Sequence, residues 1–129
     1  MQIKSGIDII EVERIKSSID EMGDNFLNRV YTENEIQYCE SKKKNKYQSY
    51  AARFAVKEAA FKAISTLIKD KYSISWKNIE TTNDENGRPS VNFISLTKEV
   101  EKELTKIESI DVSISHLEKY AVATVNILF

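Results

Sequence analysis

The run Tyr50-Ala-Ala-Arg-Phe-Ala-Val-Lys-Glu-Ala-Ala-Phe-Lys-Ala-Ile64 constrains the fold of this chain more than any other segment. It is built from strong helix formers and predicts a helix over Gln48 to Ile68. At about 100° per residue, Ala52, Val56, Ala59, Ala60, Ala63 and Leu67 gather on one side. Side chains this small let a neighbouring element approach closely, so that side is expected to pack on a sheet or a second helix. The opposite side carries Phe54, Glu58, Phe61, Lys62 and Ser65.

The rest of the chain supplies partners for that helix. Ile3, Ile7 and Ile9 fall at strand spacing, so Ile3 to Ile10 reads as a strand. Val12, Ile15, Ile19 and Met22 share a helical face until Gly23-Asp24 interrupts it. Thr32-Glu33-Asn34-Glu35 has the capping-box form and predicts a helix start. Lys42 to Lys46 reads as a loop or a frayed helix end. Ile79 to Thr82 and Val91 to Ile94 flank Asn83-Asp84-Glu85-Asn86-Gly87-Arg88-Pro89, where Asn86-Gly87 supplies the positive φ of a hairpin turn. Thr97 caps a short helix with a Val100, Leu104, Ile107 stripe. Ile110 to His116 and Tyr120 to Phe129 alternate and should pair as a last hairpin. The expected class is α+β, an antiparallel sheet packed on a long helix.

Composition bounds the function. The 129 residues, 41% apolar and 30% charged, with three glycines and one proline, suit one domain over residues 1–129. A formal net charge of −1 argues against nucleic acid as a partner. Charge is nonetheless uneven: five acidic and two basic residues from Glu11 to Asn25, against seven basic and one acidic from Lys42 to Lys62. The basic stretch is either a solvated helix face or a surface for phosphate or an acidic partner. Cys39 is the only cysteine, so no internal disulfide forms. The N-terminus lacks a signal-peptide layout and no apolar run is long enough to span a bilayer, so a cytoplasmic protein without a membrane partner is expected.

Four side chains carry chemistry. Asp8 lies inside Gly6-Ile7-Asp8-Ile9-Ile10, and a carboxylate among isoleucines is costly if buried unpaired. It is exposed at an edge, paired, capping the helix near Glu11, or holding a cation. Glu58 and Lys62, four apart, are helix-surface neighbours. They form either an ordinary surface pair or, between Phe54 and Phe61, a pocket wall. His116, the only histidine, ends a strand beside a turn, where side chains of binding sites often project. Two carboxylates with few other ligands suit Mg²⁺, which takes one or two carboxylates plus phosphates and waters. They do not suit structural zinc. No P-loop, Gly-x-Gly-x-x-Gly or Gly-x-Ser-x-Gly element is present. The residues alone reach Mg²⁺-assisted phosphate chemistry.

Three segments resemble the signature blocks of the holo-acyl-carrier-protein synthases, small 4′-phosphopantetheinyl transferases. They are Gly6 to Ile15, Arg53 to Ala63, and Ser113-Ile114-Ser115-His116 with Tyr120-Ala121-Val122-Ala123. The resemblance covers nearly the whole chain. It implies transfer of the 4′-phosphopantetheine arm of coenzyme A to a serine of an acyl carrier protein, with release of 3′,5′-ADP, in support of fatty acid biosynthesis. It implies that Asp8 and Glu58 hold Mg²⁺ and that Lys62 neutralises phosphate charge, making Asp8, Glu58 and Lys62 the catalytic set. Glu58 is the candidate base. His116, Arg53 and the Gly87-Arg88-Pro89 loop would bind the coenzyme, and Arg14 would dock the acidic carrier. It also implies a homotrimer with active sites between subunits. The chain departs from the family at Ile64-Ser65-Thr66-Leu67-Ile68, which keeps a threonine but not the glycines of a Gly-Thr-Gly turn. That departure motivates a second reading, a non-catalytic module that binds carrier protein or coenzyme A. A third is a Mg²⁺-dependent phosphohydrolase.

Overall fold

The computed structural model describes residues Met1–Phe129. The chain opens with β1 (Ile3–Glu11) and runs directly into α1 (Val12–Met22). Gly23, at φ 55°, closes α1 and starts α2 (Asp24–Val30). The α3 helix (Glu33–Glu40) starts at a complete capping box between Thr32 and Glu35. A 3-10 turn over Lys43–Asn45 feeds the long helix α4 (Lys46–Ile64). Two more 3-10 turns, Lys71–Ser73 and Trp76–Asn78, lead to the hairpin of β2 (Ile79–Asn83) and β3 (Pro89–Phe93). The Thr97 hydroxyl accepts from the Val100 N–H and caps α5 (Lys98–Leu104). The chain ends in a hairpin of β4 (Ser109–His116) and β5 (Tyr120–Leu128).

The β5 strand is central in a three-stranded antiparallel sheet of order β1-β5-β4. Its ladder with β1 runs unbroken from Ile3 opposite Leu128 to Glu11 opposite Tyr120. On β5, Ala121, Ala123, Val125 and Ile127 are buried against α4, as alternation requires. One core gathers the C-terminal half of α4, the sheet, the β2-β3 hairpin and α5. A second gathers α1, α2, α3 and the N-terminal half of α4 around Tyr31 and Tyr50. Cys39 is wholly buried there, and burial pushes its thiol up to about 11.

Three expectations change in detail. The long helix is displaced: it begins at Lys46, continuing from the preceding 3-10 turn, and ends at Ile64 rather than Ile68. At its end the Ser65 hydroxyl donates to the Lys62 carbonyl at 2.8 Å, offering that carbonyl a side-chain partner. Ile68 then turns into the core. Leu67 therefore lies outside the helical stripe to which it was assigned. The segment after Gly23 is a helix of its own, not only an interruption. Finally, Ile3, Ile7 and Ile9 face away from α4 and are 69%, 59% and 66% exposed.

The helix side of β1 is occupied by Gly6, which is buried. A Cβ at this position would collide with the Ala59 carbonyl oxygen and stand 2.9 Å from the Ala63 nitrogen. The alanine face of α4 and the missing side chain of Gly6 thus meet backbone to backbone. Gly6→Ala should lower the unfolding free energy by about 1–3 kcal/mol, as overpacking does, measured by urea denaturation. An unchanged midpoint would mean that this approach is slack.

Candidate active site

Asp8 lies two residues beyond Gly6 and shares its side of β1, so it faces α4. The Lys62 ammonium is 3.3 Å from Asp8 Oδ1 and donates to the Ile7 carbonyl at 2.8 Å. Glu58 sits one turn earlier on α4. Its Oε1 accepts from Trp76 Nε1 at 3.0 Å. Asp8, Glu58 and Arg14 line one cleft, floored by Ile10, Ile15, Phe26 and Phe54. Asp8 is therefore neither a buried orphan nor the cap of α1, whose first turn takes no side-chain cap. Glu58 and Lys62 do not pair with each other. Lys62 crosses to the strand, while Glu58 turns to the indole.

A second cleft gathers Arg53, His116, Gly87 and Pro89, with Lys42, Ser49 and Asn83. Arg53 is only 3% exposed. Its guanidinium lies 3.9 Å from the centre of the Tyr38 ring and donates to Asn83 Oδ1. Arg53 Nε is buried with no hydrogen-bond partner. His116 Nδ1 is 3.0 Å from Gln48 Oε1. Gly87, at φ 80°, turns the hairpin, and its carbonyl accepts from Asn83 Nδ2. Arg88 is exposed at this turn and is not among the residues lining the cleft. The sequence-predicted residues thus fall into two sets, Asp8, Glu58, Lys62 and Arg14 in one place, Arg53, His116, Gly87 and Pro89 in another.

Beneath Glu58 lies a buried charge network that the sequence reading did not find. Lys57 Nζ is 2.7 Å from Glu35 Oε1, both side chains fully buried. The same ammonium donates to the carbonyls of Trp76 and Ile79. Glu35 also accepts from the N–H groups of Thr32 and Thr81, both at 2.9 Å. The Thr32 hydroxyl donates to Glu80. Burial pulls Lys57 below the ordinary lysine value, against the opposing attraction of Glu35. The basic stretch is therefore divided: Arg53 and Lys57 point inward, while Lys42, Lys43, Lys44 and Lys62 are exposed. The one local hint is that the two cations lie one turn apart on the same side of the wheel as Ala60 and Ile64.

Removing one member of a buried pair strands the other charge. Lys57→Ala should cost about 3–5 kcal/mol of unfolding free energy. Lys46→Ala, which breaks the half-exposed 3.4 Å pair with Glu40, should cost less than about 1 kcal/mol. Chemical denaturation of the two variants checks the contrast, and equal shifts would contradict it.

The structure has no group of three or more His, Cys, Asp or Glu placed to hold a metal. Asp8 and Glu58 offer two carboxylates on facing elements. That donor set fits a hard cation completing its shell with substrate phosphates and waters. No helix is long and apolar enough to cross a membrane.

An antiparallel sheet packed against one long helix in this way recurs in known proteins. The model of the 4′-phosphopantetheinyl transferase superfamily matches residues 4–125. A holo-[acyl-carrier-protein] synthase of Ruminiclostridium cellulolyticum is 48% identical over 123 residues, covering 95% of this chain and 90% of its own. A crystal structure of the Helicobacter pylori holo-[acyl-carrier-protein] synthase in complex with coenzyme A superposes with a TM-score of 0.79 at 29% identity, covering 96% of this chain and 99% of its own. The Bacillus anthracis synthase, solved in complex with CoA (3′,5′-ADP), gives 0.73 at 34% identity, covering 96% and 94%. The chain belongs to the 4′-phosphopantetheinyl transferase superfamily, among its holo-[acyl-carrier-protein] synthases.

Proposed function

We propose that this chain moves the 4′-phosphopantetheine arm of coenzyme A onto a serine of an apo acyl carrier protein, with Mg²⁺ held by Asp8 and Glu58. The observation that carries this reading is the cleft shared by Asp8, Glu58 and Arg14, with Lys62 on Asp8, in a chain of this family. When bound, Mg²⁺ supplies charge neutralisation on the pyrophosphate. The residues do the rest. The serine oxygen attacks the phosphorus that carries the pantetheine arm. The bond from that phosphorus to the bridging oxygen breaks, and 3′,5′-ADP leaves. Glu58 takes the serine proton. Lys62, a flexible ammonium, meets the charge that develops on the phosphate oxygens. Arg53 and His116 bind coenzyme phosphates beside Gly87 and Pro89, with Arg88 at the rim. Arg14, exposed at the mouth of the Asp8 cleft, docks the acidic carrier. Holo carrier protein then serves fatty acid synthesis, a role that places the chain in the cytoplasm.

A homotrimer completes the site in this reading. Asp8 and Glu58 line a different cleft from Arg53 and His116, and the sheet face bearing Ile3, Ile7 and Ile9 is open. Covering that apolar face with a second copy brings one copy's carboxylates to the next copy's cationic cleft. Light scattering at micromolar concentration should give three times the 14.8 kDa chain mass. Ile7→Asp should reduce it to one chain mass. A wild-type monomer would remove the shared site.

The transfer itself is read by intact mass spectrometry of an apo carrier protein incubated with the enzyme, coenzyme A and Mg²⁺. One phosphopantetheine should be added, and a chelator should prevent it. Asp8→Ala and Glu58→Ala should each slow transfer by about 10²-fold or more while remaining folded. Wild-type rates in both would refute the metal assignment. Tight coenzyme binding without product would identify a binding module.

A further inference from the structure

Glu58 is gripped by a residue outside all three signature blocks. Trp76, the only tryptophan in the chain, opens the 3-10 turn before β2. Its indole N–H donates to Glu58 Oε1 at 3.0 Å, and its ring leans on Phe54 with centroids 6.0 Å apart. Its own carbonyl accepts from Lys57 Nζ at 3.0 Å, and that ammonium is fixed by Glu35. Successive residues of α4 thus hold Trp76 at two points. Lys57 takes its main chain, and Glu58 receives its side chain.

The turn that carries Trp76 is itself braced. Asn78 Oδ1 accepts from the Ser75 N–H at 2.8 Å, and Asn78 Nδ2 donates to the carbonyls of Ile94 and Ser95. A glutamate has three rotatable bonds and, left free, spreads over many orientations. A rigid donor on one oxygen fixes the carboxylate plane. Oε2 has no protein partner, and Glu58 lines the cleft shared with Asp8. Hydrogen bonds of this kind behind metal ligands typically change metal affinity or activity by about 10–100-fold.

We propose that Trp76 is a positioning residue for the transfer reaction, its indole N–H setting the Glu58 carboxylate and the Lys57–Glu35 pair seating the turn that carries it. The inference rests on Glu58 being a cation ligand, as proposed above.

The test replaces Trp76 with β-(3-benzothienyl)alanine, which has the shape of tryptophan without the N–H. Mn²⁺ is the probe cation, with free Mn²⁺ read by electron paramagnetic resonance. The expected result is Mn²⁺ affinity weakened about tenfold or more and a comparable fall in kcat. KM for apo carrier protein should stay within about twofold, with an unchanged urea midpoint. Asp8→Ala and Glu58→Ala are measured in the same resonance assay. If they bind Mn²⁺ like the wild type, the cation site is wrong. If they lose it while the isostere keeps wild-type affinity and kcat, the role of Trp76 alone is overturned. A second measurement needs no variant. Mg²⁺, titrated into the wild type, should change the emission of the single tryptophan with the midpoint at which it displaces Mn²⁺. Flat emission across that displacement would overturn the proposal.

Discussion

With no side chain at Gly6, the backbone of β1 lies against the Ala59 carbonyl and the Ala63 nitrogen of α4. The rest of the site follows from that contact. Side chains alternate along a strand, so the residue two positions on, Asp8, must face the same helix, about 6–7 Å further along. On the helix, Glu58 precedes the contact and Lys62 lies between its two ends in sequence. The carboxylate of β1 therefore arrives beside a carboxylate and an ammonium of α4. The long ladder to β5 locks this register. A slip of one residue would turn Asp8 onto the open face and drive Ile7 into the helix backbone, where no space exists.

The same helix is fixed from its other side by charge rather than by close packing. Lys57 is desolvated completely, a cost that only full satisfaction offsets. It meets Glu35 and two main-chain carbonyls, and Glu35 is in turn satisfied by two N–H groups. The network joins the start of α3, the middle of α4, the Trp76 turn and β2. Replacing such a pair by apolar residues is often neutral for stability, whereas removing one partner strands the other charge. Two different kinds of contact thus converge on one turn of α4. The Gly6 approach sets where Asp8 stands, and the Lys57 network sets where Glu58 points.

Local signals carried most of the fold. The capping box at Thr32, the positive φ at Gly87, the Thr97 cap and the alternating strands each depend on a few neighbouring residues, and each was legible. The misplaced end of α4 came from propensity alone, because Ser65 and Thr66 do not break a helical pattern outright. What local reading missed was pairing at long range. Nothing near Gly6 announces Ala59, and Lys57, though it shares a side of the wheel with Ala60 and Ile64, has no visible partner until Glu35 arrives from another helix. The isoleucines of β1 gave the right period, but which side of the strand meets the helix depended on Gly6. The candidate site could be written as a list of residues because motif blocks mark them. Its division between two clefts was not, since that depends on Arg53 and Phe54 leaving α4 in different directions.

Lys62 illustrates how little holds the site in the state described. Its ammonium rests on Asp8 and on the Ile7 carbonyl, with the lysine side chain 54% exposed and the aspartate 19%. An ion pair so open to water contributes no more than about 1 kcal/mol. A divalent cation at Asp8 would meet a weak opponent. The ammonium, its stem on α4 one turn from Glu58, would stay close to any phosphate bound there. The pair that looks like a stabilising salt bridge is better understood as two charges kept close and unequally committed. Asp8 is fixed by the strand, and Lys62 is free to change partners.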